Sequence, residues 1–456
     1  MRFPKRLLAV ALVLMMVFAS LPMMVVANDE DLDAQEAYNA EDAVADAQPE
    51  ETEVVAEPAE DEELPEGYVV VQGSVFSIDE TVTLSLTGGI SAADMTAIGS
   101  LVNLTGLSLV GELPGGVVHI VRWIDEVFNG DTNEAEFWAG VQIMDISPLS
   151  NLTYLTSLVL EGLQVYDIAP LAGLTNLTEL SLSTNIVFDL TALAGLTELT
   201  YLNLENNLLW DDALAPLAGL TNLENLELSV NQIVDLSPLA GLVNLTTLGL
   251  ESIHSLRSLA PLADLVNLTE LRIGCECGVI QVTSFGPLAG LTNLTVLNAS
   301  GMHPRNLSPL AGLTNLTYLR LESNGIVDLG PLAGLTNLES LFLTNNRITN
   351  LTPLSRLENL GGVALHNNRI SNLSPLSGLS NLFALGAANN RITDVSPLSG
   401  LVNLEGLSLS NNQISDLSPL AGLENLILFE MENNEAIDLR IDWSPVEHVS
   451  EIGGRP

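Results

Sequence analysis

Four side chains near the middle of the chain have the types and the spacing to hold a metal. His254, Cys275, Cys277 and His303 come from three consecutive lines of an internal repeat. In register, two thiolates and two imidazoles would stand at coil spacing, a donor set that suits tetrahedral zinc. Two other readings stand beside this one. A cysteine can replace a repeat asparagine, and Cys275 and Cys277 can form a disulfide in an oxidising compartment. Extra residues in these lines leave the register open, and no metal is assigned to them.

Other chemistry finds less support. His119, Asp125 and Glu126 fall in a segment whose apolar residues Val117, Val121, Ile124 and Phe128 have helical spacing, so the charged residues read as the outer face of a helix. Asn129 to Asn133 hints at a calcium loop, but the glycine and the closing glutamate are misplaced. Asn-Leu-Thr recurs at Asn103, Asn151, Asn176, Asn244, Asn267, Asn293 and Asn315. Each lies between two core leucines, so repeat phase explains the motif better than glycosylation does. No phosphate-cradling glycine loop, H-E-x-x-H or G-x-S-x-G is present. Carboxylates abound, yet nothing places two of them at a cleft. The expectation is a protein without catalytic residues or cofactor.

The elements that must position any site come from one repeated line. From about Ile146 to Met431 the chain restarts every 22 residues or so, with lines such as DLGPLAGLTNLESLFLTNNRIT and DVSPLSGLVNLEGLSLSNNQIS. The pattern L-x-x-L-x-L-x-x-N-x-I at this period predicts a leucine-rich repeat solenoid. In Leu407-Ser408-Leu409 the leucines point inward and the serine outward, the alternation of a strand. Asparagines at 185, 207, 231, 324, 346, 368, 390, 412 and 434 would form a buried ladder of mutually satisfying amides. In Ser418-Pro419-Leu420 the serine would cap a short helical turn begun by proline. The expected fold is an α/β repeat solenoid, a horseshoe with a parallel β-sheet on its concave face and short 3-10 or irregular turns on its convex face. About fifteen coils would give a strand-lined surface about 70 Å long.

The block NNQISDLSPLAGLENL resembles the 22-residue repeats of the internalins, secreted or surface-attached bacterial proteins, and the likeness covers about Leu84 to Leu439. The resemblance implies that a ligand, usually a protein, binds the concave strand face. No LPxTG sorting signal, wall-binding module or immunoglobulin-like segment is recognisable after the repeats, a departure from the family pattern that puts wall anchoring and host-cell invasion in doubt. Read off the period, the outward strand positions include Asn203 and Glu270, and the tentative ligand-binding set is Tyr201, Glu205, Glu227, Glu251, Arg272, Tyr318, Arg320, Glu322, Phe342 and His366. Aromatic and arginine anchors favour protein contacts, and they concentrate between Tyr201 and His366.

Composition narrows the partners. Apolar residues make up 47% of the chain and aromatics only 4%, so the core must be aliphatic. The net charge of −43 disfavours nucleic acid and anionic membranes, and binding of a basic partner should weaken with salt. The only lysine, Lys5, lies in residues 1–27, which read as a cleaved secretory signal, an uncleaved anchor being the other reading. Residues 28–67 read as an acidic disordered linker, 68–440 as the solenoid and 441–456 as a short tail. Within the solenoid, 68–83 reads as a cap and 110–141 as a helical insertion, either a further cap or a ligand contact. The expected protein is a secreted or surface-associated monomer with an unidentified protein or cell-surface ligand and no membrane span after cleavage. A ligand-free structural spacer, and an enzyme built on the insertion, are the alternatives.

Overall fold

The computed structural model describes residues 68–111, 144–275, 282, 284–434, 446, 449 and 451–453. The expected leader, the acidic linker and nearly all of the insertion lie outside the described residues. The chain divides into two compact units between Leu208 and Leu209, and both are built from the same coil.

In the first unit β1 (Tyr68–Val71) and β2 (Ser74–Ser77) form an antiparallel hairpin. Parallel strands follow: β3 (Thr83–Thr87), β4 (Gly106–Val110), β5 (Ser157–Glu161), β6 (Glu179–Ser181) and β7 (Tyr201–Asn203). Val110 completes β4, so the insertion begins after it and not at it. A seven-residue helix α1 (Ala92–Ile98), not expected from the repeat pattern, buries Met95 and Ile98. Its start is a capping box: the Asp94 amide donates to Ser91 Oγ (3.1 Å) and the Ser91 amide donates to Asp94 Oδ2 (2.9 Å). Asp94 Oδ1 also accepts from the Gln72 amide at 2.8 Å, tying the hairpin to the helix.

The second unit holds β8 (Asn225–Glu227), β9 (Thr247–Gly249), β10 (Glu270–Arg272), β11 (Val296–Asn298), β12 (Tyr318–Arg320) and β13 (Ser340–Phe342). It continues with β14 (Gly362–Ala364), β15 (Ala384–Gly386), β16 (Gly406–Ser408), β17 (Leu428–Glu430) and β18 (Glu451–Gly453). Neighbouring strands pair in parallel with no slip, so Leu248, Leu271, Leu297 and Leu319 line up. One coil shows the economy of the pattern: Leu401, Leu404, Leu407, Leu409, Ile414 and Leu417 are all buried. Each such side chain contributes about 1.5–3 kcal/mol by leaving water.

The asparagine ladder is present, but its bonding differs from the expectation. The amides do not satisfy one another. Each clamps the backbone of two successive coils. Asn346 Oδ1 accepts from the Asn324 and Ile326 amides (3.1 and 2.9 Å), and its Nδ2 donates to the carbonyls of Leu321, Leu343 and Thr344 (2.9, 2.9 and 3.3 Å). The residue before each ladder asparagine takes a left-handed conformation (φ 59° at Asn345, 55° at Asn367), which asparagine tolerates better than most residues. This accounts for the Asn-Asn pairs of the later lines.

The serine caps are also corrected. The turns on the far side of the coil are 3-10, as in Ser418–Leu420, and none of these serines caps its turn. The cap is the residue two positions before, mostly Asp or Asn: Asp416 Oδ1 accepts from the Ser418 amide at 2.8 Å, Asn372 and Asn350 do the same for Ser374 and Thr352, and the Ser258 and Ser284 hydroxyls do so for Ala260 and Gly286. The Ser237 hydroxyl and then its amide hold Asp235 below the ordinary carboxylate range, while for Asp394 the Ser396 amide leads and the hydroxyl follows.

Nor does glycosylation explain the Asn-Leu-Thr motif. Asn244 Nδ2 donates to the Thr221 carbonyl of the coil before (2.9 Å), and Asn403, followed by Leu-Glu, makes the same bond to Ser380 (2.8 Å).

Replacing Asn346 with Ala strands at least two buried backbone groups, each worth about 1–3 kcal/mol when left unmade. N346A should lower the urea midpoint clearly, whereas S418A, whose hydroxyl caps nothing, should leave it nearly unchanged.

Candidate functional site

The outward side chains of β8 to β15 form rows across the strands. One row runs Glu227, Gly249, Arg272, Asn298, Arg320, Phe342, Ala364 and Gly386. A second, two residues on in each coil, includes Glu251, Gly274, Ser300, Glu322, Thr344 and His366. Neighbours in a row stand about 4.8 Å apart. Glu227 and Arg272 are two coils apart, yet they touch.

Gly249 permits that contact. A Cβ there would lie 1.7 Å from Glu227 Oε1, so the missing side chain is the channel through which the carboxylate reaches Arg272 Nη2. Arg272 Nη1 also meets Glu270 Oε1, and Nε lies 3.5 Å from Glu251 Oε2. The other Glu251 oxygen accepts from Asn298 Nδ2 at 2.5 Å. That bond passes Gly274, where a Cβ would lie 2.9 Å from Asn298 Oδ1. Ser229 closes the cluster, its hydroxyl donating to Glu227 Oε1 (2.5 Å) and accepting from the Glu251 amide (3.0 Å).

Three carboxylates around one guanidinium leave an excess of negative charge. Burial pushes the Glu251 carboxyl up; Arg272 pulls it back, but the Glu227 charge pushes it up again, and the net displacement is upward. Burial also works against the charge on Arg272, but Glu227, Glu270 and Glu251 outweigh it and hold the guanidinium above its ordinary value. Arg272 is therefore charged throughout and already engaged.

Farther along, Arg320 Nε pairs with the buried Glu322, whose amide donates to Ser300 Oγ at 3.2 Å. Tyr318 and Phe342 pack with ring centres 5.2 Å apart and planes tilted by 41°. Phe342 lies buried with Ala364 and Ala384, and Tyr318 and Phe383 lean against them. His366 is fully buried. Its Nδ1 accepts from the Ala388 amide at 3.1 Å, which puts the proton of a neutral ring on Nε2. A Cβ on Gly386 would come within 2.2 Å of that nitrogen.

Of the ten candidates, Tyr201 and Glu205 belong to the first unit and are half-buried. In the second unit Glu227, Glu251 and Arg272 meet, Arg320 meets Glu322, and Tyr318 meets Phe342, while His366 sits beside Gly386. The period finds outward positions but misses the organisers Asn298, Ser229, Gly249, Gly274 and Gly386. Their signal is a glycine at an outward strand position between two long polar side chains.

The metal set does not assemble. Cys275 is buried and disulfide-bonded, and a disulfide sulfur is no thiolate for zinc; Cys277 lies outside the described residues. His254 and His303 are exposed, with His254 Nδ1 bonded to the Ser252 carbonyl at 2.8 Å. Among the described residues no three His, Cys, Asp or Glu side chains are arranged to hold a metal ion.

A family model for leucine-rich repeats in two copies matches residues 314–356 and 380–422. No curated protein matches the chain. A crystal structure of an internalin from Listeria monocytogenes is similar at 34% identity and a TM-score of 0.61, covering 67% of this chain and 87% of its own. A leucine-rich repeat protein of Leptospira interrogans has 22% identity and a TM-score of 0.66 over 81% of this chain and 89% of its own. The functional domain of a second Listeria internalin, which includes a cysteine ladder, has 21% identity and a TM-score of 0.54 over 78% of this chain and 75% of its own. The last two likenesses bear on fold alone.

Two variants check the cluster. G249A should expel the Glu227 carboxylate from Arg272 and cost about 1–3 kcal/mol, with part of the loss recovered in the E227A/G249A double variant. Glu251 titrates higher in the folded than in the unfolded chain, so its contribution to stability is complete below the unfolded value and disappears as pH rises through the folded value. E251Q should therefore gain on the wild type from above the ordinary glutamate range to neutral pH and converge with it in acid. A thermal-midpoint difference that does not change with pH would refute this.

Proposed function

The chain belongs to the internalin-type leucine-rich repeat proteins, and from that premise we propose that it is a non-catalytic recognition protein. In this reading it works outside the cell, secreted or at the surface, and takes a protein or cell-surface ligand on its strand face. The observation behind it is the organised row from Glu227 to Phe342. There an acidic, guanidinium-centred cluster adjoins the Arg320–Glu322 pair and the Tyr318–Phe342 aromatic pair. Side chains held by neighbours in this way lose little freedom when a ligand docks. The central anchors of protein interfaces are commonly aromatic residues and arginine.

The residues divide the work. Tyr318, half-exposed over the buried Phe342, supplies apolar area with a hydroxyl at its edge. The surplus carboxylates around Arg272 suit a basic group on the partner. Tyr201, Asn203 and Glu205 present a smaller polar surface of the same kind in the first unit.

Purified full-length protein screened on protein and glycan arrays beside a Tyr201, Tyr318 and Phe342 to Ala variant tests the reading. A ligand captured by the wild type and lost by the variant, with the variant still folded at the assay temperature despite the buried Phe342 it loses, is the expected result. Equal capture by both, or none, would sink it and favour a ligand-free spacer.

A further inference from the structure

A third row lies off the strand face, on the edge where each coil leaves the sheet. Arg347, Arg369 and Arg391 follow Asn346, Asn368 and Asn390 directly. Their strands are in register through Phe342, Ala364 and Gly386. The arginine backbones repeat one bond, from their own amides to the carbonyls of Ile326, Ile348 and Ile370 (2.8, 2.9 and 2.8 Å). Three guanidinium side chains thus rise from equivalent points of successive coils, about 4.8 Å apart.

This arrangement has a cost. Like charges side by side on neighbouring strands are destabilising. Arg272 and Arg320 meet carboxylates, whereas Arg347, Arg369 and Arg391 are exposed and have no ion-pair partner among the described residues. The whole chain has 14 basic residues against 57 acidic ones. Even so, this position carries no carboxylate in any coil from Gln232 to Gln413, and His254 and His303 occupy it in earlier coils. The position four residues before the next 3-10 turn's leucine, often Asp elsewhere, is Asn at 350 and 372, which spares the row two adjacent negative charges.

We propose that Arg347, Arg369 and Arg391 bind a linear anionic glycan bearing one carboxylate or sulfate per sugar. Guanidinium forks match such groups with two parallel hydrogen bonds. Along an extended glycan one pyranose advances the chain by about the thickness of one coil, so consecutive sugars meet consecutive arginines. An extended acidic peptide presents side chains on one face only every ~6.8 Å and falls out of step. Nucleic acid, with its dense phosphate charge, is opposed by the strong negative charge of the whole protein. A sparsely charged chain can follow the row while charges farther away than about 8 Å are screened at physiological salt.

The test measures binding of the full-length protein to immobilised polygalacturonate, dextran sulfate, neutral dextran and poly-L-glutamate. The expected result is binding to polygalacturonate or dextran sulfate but not to dextran. Binding should weaken about tenfold or more in R347S/R369S/R391S and stay unchanged in R356S, an exposed arginine outside the row. Binding to only one of the two charged polymers assigns the anion as carboxylate or sulfate. If the triple variant unfolds early, R369E alone reads the same loss. Absence of binding, equal binding by the variants, equal binding to neutral dextran, or a preference for poly-L-glutamate would overturn the proposal.

Discussion

Everything in this molecule depends on how a chain leaving a β-sheet keeps its backbone hydrogen-bonded inside an aliphatic core. Leucine can fill that core but can satisfy no amide. The ladder asparagine resolves the conflict, because one side chain accepts from two amides and donates to three carbonyls, as Asn346 does. Those partners lie in the same coil and the one before it. The bond that completes a turn therefore also fixes its registration on its neighbour. The zero-slip strand pairing, and hence every outward row, follows from it.

With the register fixed, the outward rows become a place where absence matters as much as presence. Gly249 and Gly274 are gaps that let Glu227 and Asn298 lean across a coil, and Gly386 leaves room for the His366 ring. A cluster of three glutamates around one arginine could not close on a uniform row of side chains. The acidic excess that results is local, set by three carboxylates gathered on one guanidinium.

The fold was legible because it is periodic: leucine spacing and the ladder asparagines identify strand, turn and core at once. The serine that opens the turn does not cap it, because the residue two positions earlier, commonly Asp or Asn, already accepts from its amide. The helix Ala92–Ile98 was hidden because it lies before the regular lines, although its Ser91–Asp94 box was readable. The site was half legible. Period alone marks which residues face outward, so the candidate set lies on the expected rows. It does not reveal that Glu227 reaches past its neighbour, nor that Phe342 and His366 are buried, since both depend on side chains from other coils.

Among the described residues, the ladder is interrupted where Ile253 and Met302 stand buried instead of asparagine. In an array whose stability is a sum over coils and their neighbours, such a break changes the coupling between adjacent turns without changing the core. The coils on either side keep their leucines but share fewer backbone ties. Seen as a chain of linked springs, the protein is softest in the segment bounded by these two residues. Amide-hydrogen exchange and mechanical extension would both enter there first, and the long uninterrupted run from Asn324 to Asn434 would behave as its stiff half.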